Sequence, residues 1–230
     1  RFLTALLRSL LTTHENFSSI LCNTMHCLQT RRIFLITVRE AQQDDAGQIA
    51  PLIDIIFDEM ELDELDDVPE PGLAKVITRA YQTETYLSRK ASTVVAEADG
   101  QVVGVVFGYP SENEDDINKV LINLSKKSAD FKEPYIPDSE THSDEWYLDS
   151  IAVDPNYQGH GIGSKLLAAV PRMAMNDGKS VIGLNVDFEN PEAKKLYERK
   201  GFKTVGTNVI GDHLYDHMQK AVKEQSLLSV

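Results

Sequence analysis

Residues 149–163 read Asp149-Ser150-Ile151-Ala152-Val153-Asp154-Pro155-Asn156-Tyr157-Gln158-Gly159-His160-Gly161-Ile162-Gly163. A β-rich apolar run ends at a proline turn, three glycines follow on alternate positions, and a helical pattern begins. Backbone without Cβ atoms at a helix N-terminus presents N–H groups to an anion, and the helix dipole adds to the attraction. The segment is expected to hold a phosphate, with a pyrophosphate the first choice. The chemistry then turns on which phosphate-bearing ligand it takes.

Three ligands compete. An ATP-type loop needs Lys and Ser/Thr directly after its last glycine, but Gly163 is followed by Ser164-Lys165, the reverse order. A dinucleotide site needs Gly-x-Gly-x-x-Gly straight after a strand, with an acid about 20 positions on. Asp187 ends an expected strand, yet the third glycine comes one place early, Ser164 holds its position, and Pro155 to Gln158 separate strand from loop. The third ligand is coenzyme A. The run Val153-x-Pro155-x-x-Gln158-Gly159-x-Gly161-Ile162-Gly163 resembles motif A of the GCN5-related N-acetyltransferases (GNAT). Downstream, Asn190-Pro191-x-Ala193-x-x-Leu196-Tyr197-x-x-x-Gly201-Phe202 resembles motif B of the same family. The resemblance covers roughly residues 36–220 and is strongest over 145–203.

The resemblance implies an α/β fold: a mixed, twisted central sheet, splayed near Val153 and flanked by helices. It also implies direct transfer of an acetyl group from acetyl-CoA to a primary amine of a small molecule or peptide, without a covalent enzyme intermediate. Backbone groups of Gln158, Gly159, His160, Gly161, Ile162, Gly163 and Ser164 would bind the coenzyme A pyrophosphate. Ile151, Ala152 and Val153 would meet the pantetheine arm through their backbone, and an N–H near Val153 would polarise the thioester carbonyl as an oxyanion hole does. Tyr197 matches the tyrosine that protonates the leaving thiolate. A phenol of pKa about 10 keeps its proton at neutral pH and can donate it to a thiolate whose acid has pKa about 8.5. Asn190 matches an Asn near the cofactor, and its place as an N-cap explains it equally well.

The base is read from the strand before motif A. Alternation puts Glu145, Tyr147 and Asp149 on one face and Trp146, Leu148 and Ser150 on the other. Some family members carry Glu where this chain has Tyr147. Others, the polyamine acetyltransferases among them, carry Tyr-Leu-Glu-Asp-Ile-x-Val, to which Tyr147-Leu148-Asp149-Ser150-Ile151-Ala152-Val153 is similar. Asp149 is therefore the candidate base; being one carbon shorter than Glu, it would act through a water. The region that borders the acceptor cleft in the family, residues 54–70, holds nine acids and no Lys or Arg. That charge suits a cationic amine, with Glu59 and Glu61 as candidate contacts. Tyr147, His213 and Tyr215 are further acceptor-side candidates, and His217 alternates with the last two. A solvated acidic face and ordinary edge packing would explain the same residues. No metal is implied. A non-catalytic acyl-CoA-binding sensor is the rival reading.

The whole chain has 230 residues and a formal net charge of −13, which argues against nucleic-acid binding as a main activity. No apolar run approaches the roughly 18 residues needed to cross a bilayer, so no membrane partner and a cytoplasmic location are expected. The two cysteines, Cys22 and Cys27, flank His26 at poor zinc spacing. Residues 1–35 do not resemble the family. Phe2, Leu3, Leu6, Leu7, Leu10 and Leu11 recur at helical spacing, which reads as an amphipathic helix in a packing or oligomerising extension, consistent with a homodimer.

Residues 36–230 are expected to be the catalytic domain. A strand is expected over 33–39, then a helix capped by Asp44-Asp45, a second helix over 72–86, and strands over 93–98 and 101–109 joined by Asp99-Gly100. Residues 110–144 form a polar insertion between the third and fourth strands, with one helix near 115–128. A strand over 145–153, a helix over 161–176 kinked at Pro171, and a strand over 181–187 follow. A helix from Pro191 that stops at Gly201 precedes two strands, 202–209 and 213–220.

Overall fold

The computed structural model describes residues 35–60 and 62–222. They form a seven-stranded sheet flanked by helices: β1 (Ile36–Glu40), β2 (Ser92–Ala98), β3 (Gln101–Pro110), β4 (Trp146–Val153), β5 (Val181–Asp187), β6 (Lys203–Ile210) and β7 (His213–Ala221). Their spatial order is β1-β2-β3-β4-β5-β7-β6. Every neighbouring pair is antiparallel except β4 and β5. That parallel pair meets only at Trp146 with Ile182 and Tyr147 with Gly183, although β4 continues to Val153 and β5 to Asp187. Beyond Tyr147 the two strands diverge, and this is the expected splay.

The helices are α1 (Ala46–Met60), α2 (Glu70–Ala80), α3 (Glu114–Lys127), α4 (Ile162–Asn176) and α5 (Pro191–Arg199). Ile49, Leu52 and Ile53 of α1 and Ile77 of α2 are buried against Val95, Val105, Phe107 and Tyr147 of the sheet. Ile162 and Leu166 of α4 press on Gly104 of β3, where a Cβ would stand 3.1 Å from each. α4 runs through Pro171 without interruption. Asp99 and Gly100 have φ of +51° and +81°, the tight hairpin that their sequence predicts.

Asp45 caps the helix start as the N3 residue of a capping box: its carboxylate accepts the Gln42 N–H at 2.7 Å and also takes a two-pronged bond from Arg39, which reaches Glu97 as well. The acid thus ties β1, β2 and the helix start together. The second helix stops at Ala80, and Tyr86 belongs instead to a separate π-type turn, Thr85–Arg89. The amphipathic pattern over 2–11 lies outside the described residues, as does Glu61.

The polar insertion belongs to the same compact unit as the sheet. Its anchor is Glu114, whose buried carboxylate accepts four bonds: from the Ser139 hydroxyl (2.8 Å), the Glu140 N–H (2.7 Å), and the Thr141 N–H and hydroxyl (3.1 Å each). A buried charge must be satisfied by such bonds, so Glu114 fixes where residues 139–141 run.

β4 carries a bulge. Phe107 pairs with Ser150 and Gly108 with Leu148, so Asp149 is the extra residue. Gly108 makes this geometry fit, because a Cβ there would lie 2.3 Å from the Tyr147 carbonyl and 2.4 Å from the Trp146 ring. Bulges bend a strand and re-aim side chains.

Candidate active site

The glycine loop leads from β4 into α4. Gly159 (φ +76°) and Gly161 (φ +78°) adopt the left-handed conformation, and a Cβ on either would meet nothing within 4 Å. Gly163 differs: it lies in the first turn of α4 without positive φ, and its Cβ would make ordinary contact with Val153 at 3.8 Å. Gly161 is the N-cap, and its carbonyl accepts from the Lys165 N–H, leaving the first-turn N–H groups without helical partners. Ile162 is buried, whereas Gln158, Gly159, His160, Gly161 and Ser164 are exposed. An open left-handed turn leading into free N–H groups fits a pyrophosphate.

The edge of β4 beyond Tyr147 continues this surface. The Asp154 N–H donates to Val103 of β3 at 2.9 Å. Strand alternation then turns Ala152 toward β3 and aims the backbone groups of Ile151 and Val153 at the splay. The Gln158 amide donates to the Val153 carbonyl at 3.3 Å from that open side. An extended arm with amide groups can pair with such an edge as a strand would.

On the far side of the bulge lies a cavity of about 80 Å³. Its walls are Ile53, Ile56, Phe57 and Met60 of α1, Ile77 and Ala80 of α2, Tyr81, Tyr86, Phe107, Tyr109, and Ile117, Asn118 and Leu121 of α3; Tyr135, Pro137, Asp138, Glu140, Asp149 and Ser150 complete it. The Tyr86 and Phe107 rings stack at 4.9 Å, and Tyr81 stands edge-on to both. Asp149 accepts from the Tyr109 hydroxyl at 3.1 Å and from the Ser150 hydroxyl at 2.5 Å. Burial pushes its carboxyl up to about 6, against the lowering effect of these two bonds. Glu140 accepts from the Tyr147 hydroxyl at 2.5 Å. Burial, together with the Asp149 charge, pushes Glu140 up to about 8. Burial raises both carboxyls, and the Asp149 charge raises Glu140 further, so the pair resists double ionisation.

Strict alternation fails here. It separates Asp149 from Ser150, but the bulge brings both to the cavity. Tyr147 is buried and does not line the cavity; its hydroxyl sits between the Asn185 amide at 2.9 Å and Glu140. His213 pairs with Asp187 at 3.0 Å, and Tyr215 is buried opposite Asp187 and Asn208. Neither lines the cavity. His217 is fully buried between Glu145 and Asn185 and stacks on His142. The acidic run is likewise displaced from the cavity. α1 turns its apolar positions inward, while Asp58, Asp63, Glu64, Asp66 and Asp67 are exposed. Glu59 is half-buried, with its carboxyl raised by burial, and does not line the cavity. The acids that do line it are Asp149 and two residues of the insertion, Glu140 and Asp138.

Tyr197 lies on α5, beyond the end of β5. Asn190 caps this helix by accepting the Ala193 N–H at 3.1 Å. Gly201 (φ +91°) closes it with paired bonds, Gly201 N–H to Glu198 and Phe202 N–H to Tyr197. The Tyr197 ring stands edge-on to Phe202 at 5.7 Å, and burial pushes its phenol up to about 12. The hydroxyl is therefore a proton carrier at neutral pH.

Among the described residues no helix is long and apolar enough to cross a membrane, and no group of three or more His, Cys, Asp or Glu could hold a metal ion.

Comparison with known proteins agrees with this geometry. The model of the acetyltransferase (GNAT) family matches residues 56–202. A solved structure described as an acetyltransferase superposes with a TM-score of 0.71 at 42% identity, covering 81% of this chain and 100% of that one. An N-acetyltransferase from Staphylococcus aureus Mu50 superposes with a TM-score of 0.66 at 27% identity, covering 80% and 100%. Thialysine N-epsilon-acetyltransferase of Bos taurus is 36% identical over 78 residues, 34% of this chain and 45% of that protein. The chain thus spans under half the length of that curated relative. The family uses acetyl-CoA. With its motifs, sheet order and splay in agreement, the chain belongs to the acetyltransferase (GNAT) family.

Proposed function

We propose that this protein transfers an acetyl group from acetyl-CoA to a primary amine that arrives as an ammonium ion, and that Asp149 removes the proton. One observation carries this reading: the β4 bulge brings the Asp149 carboxyl to the wall of an aromatic cavity, while the open edge of the same strand begins two residues later. Acetyl-CoA, when bound, supplies the thioester carbon that the amine attacks.

The chain's residues have separable tasks. The backbone of Gln158–Ser164 holds the pyrophosphate, with Gly159 and Gly161 keeping the approach clear. Ile151 and Val153 align the arm, and the Val153 N–H polarises the carbonyl. Aromatic faces and the Asp149 charge hold the ammonium in the cavity. An ammonium of pKa about 10.4 cannot attack, so a carboxylate must take its proton first, directly or through a water. Tyr197 returns a proton to the departing thiolate. In this reading the attraction for the ammonium comes from the Asp149–Glu140 pair rather than from the acids of α1.

The acceptor is tested with acetyl-CoA and a panel of amines, amino acids, aminoglycosides and peptide N-termini, followed by thiol release. Cationic primary amines should be preferred, and kcat/KM for the best of them should fall as ionic strength rises. Preference for a neutral or anionic acceptor without salt dependence would contradict the cavity's electrostatics. For the proton donor, Tyr197→Phe should lower turnover on the order of 10²-fold and leave acetyl-CoA affinity unchanged. Wild-type turnover in that variant, under conditions where chemistry limits the rate, returns Tyr197 to a packing role.

A further inference from the structure

The cavity also discriminates among amines, and here the insertion matters. Glu140 and Asp149 are the two carboxyls on its inner wall, and neither is free to swing. Asp149 is fixed by Tyr109 and Ser150. Glu140 is fixed at its side chain by Tyr147, at its N–H by Glu114, and at its carbonyl by the Asn185 and Asn208 amides at 3.0 and 2.7 Å. Six bonds, with partners on β3, β4, β5, β6 and α3, hold these two groups.

We propose that Glu140 is the acceptor-specificity residue, sharing a single ammonium with Asp149, and that Glu114 is its positioning residue. The acceptor class is a primary monoamine with a compact apolar or aromatic body. This inference rests on the acetyl-transfer reading above and goes further in excluding polyamines as preferred substrates. The two carboxyls share one wall, burial raises both, and the Asp149 charge raises Glu140 further, so the pair resists carrying two negative charges at once and suits one ammonium. Apart from Asp138, the rest of the enclosure holds no charged group: Ile53, Phe57, Phe107 and Ile117 would face the body of the substrate, with Asn118, Ser150 and tyrosines as its neutral polar members. A second ammonium would lose its hydration there without a charged partner. The third acid, Asp138, is exposed and spends one oxygen on the Gly211 N–H.

The matched pair n-pentylamine and 1,5-diaminopentane differs only in the distal ammonium. With wild-type enzyme and acetyl-CoA, pentylamine should have the higher kcat/KM, by on the order of 10-fold or more. Glu140→Gln should raise KM for pentylamine about 10-fold while changing kcat little. Glu114→Gln should also raise KM for the amine, with KM for acetyl-CoA and kcat unchanged, a split that general loss of folding would not produce. Pentylamine should raise the melting temperature of the wild type in the absence of acetyl-CoA, and less so that of Glu140→Gln. A preference for the diamine would overturn the inference and point to Asp138 as a second cation site. Equal KM values in wild type and Glu140→Gln would overturn the role of Glu140. If no amine is acetylated but pentylamine still stabilises the wild type more than Glu140→Gln, acetyl transfer fails and the recognition stands. If amines are acetylated without these differences, only the recognition fails.

Discussion

Asp149→Asn is expected to lower kcat/KM for a primary amine by about 10²- to 10⁴-fold at neutral pH, the range for removing a general base. The wild-type profile should rise with pH through about 6, where Asp149 loses its proton. In the variant that limb should vanish. Residual activity should climb only as free amine becomes plentiful toward its own pKa of about 10.4, so the deficit shrinks at high pH. The same shift has a stability sign. The folded carboxyl titrates above its unfolded value of about 3.9, so its stabilising contribution is full below that value and lost as pH rises through about 6. At pH 7 the ionised group is therefore a cost, on the order of 1–3 kcal/mol, which Asp149→Asn relieves. The variant should melt higher than the wild type at pH 7 and show little difference near pH 4. An unchanged pH–rate profile would remove Asp149 from the chemistry.

Gly161→Val is expected to abolish measurable acetyl-CoA binding, or to weaken it by at least about 10²-fold, by calorimetry. Gly161 sits at φ +78°, where a β-branched residue costs on the order of 1–3 kcal/mol. No protein atom lies near the added Cβ, so the fold survives and the side chain intrudes on the phosphate approach. Gly163→Ala is the control. Its backbone is not left-handed and its Cβ would meet Val153 at 3.8 Å, so binding should change little. Equal affinities for wild type and Gly161→Val would move the phosphate site elsewhere.

Much of the fold was legible because its signals are local. Val181–Asp187 follows from its run of β-formers, Asp99-Gly100 from its turn chemistry, and α5 from Asn190, Pro191 and Gly201. The three glycines announce a phosphate loop, but only φ separates Gly159 and Gly161, which need glycine, from Gly163, which does not. The cavity proposed for the acceptor was harder to read because the residues that shape it are distant in sequence. The bulge at Asp149 depends on Gly108 lying against Trp146 and Tyr147, and period-two counting along β4 alone cannot register an extra residue. Glu140 lies in a stretch without periodicity, and its position is fixed by Glu114, 26 residues earlier. The displacement of the acidic run was available in the sequence. Ile53, Ile56, Phe57 and Met60 share a helical face, and Asp54 and Asp58 fall off it.

The most direct test of the central claim is stoichiometric. Acetyl-CoA and n-pentylamine are incubated with wild type and with Asp149→Asn at pH 7, and free coenzyme A thiol and N-acetylpentylamine are quantified in the same samples. Equal molar amounts of both products are expected from the wild type, well above the variant. Acetyl-CoA binding with neither product above the Asp149→Asn level would contradict it and leave a protein that binds the cofactor without transferring its acetyl group.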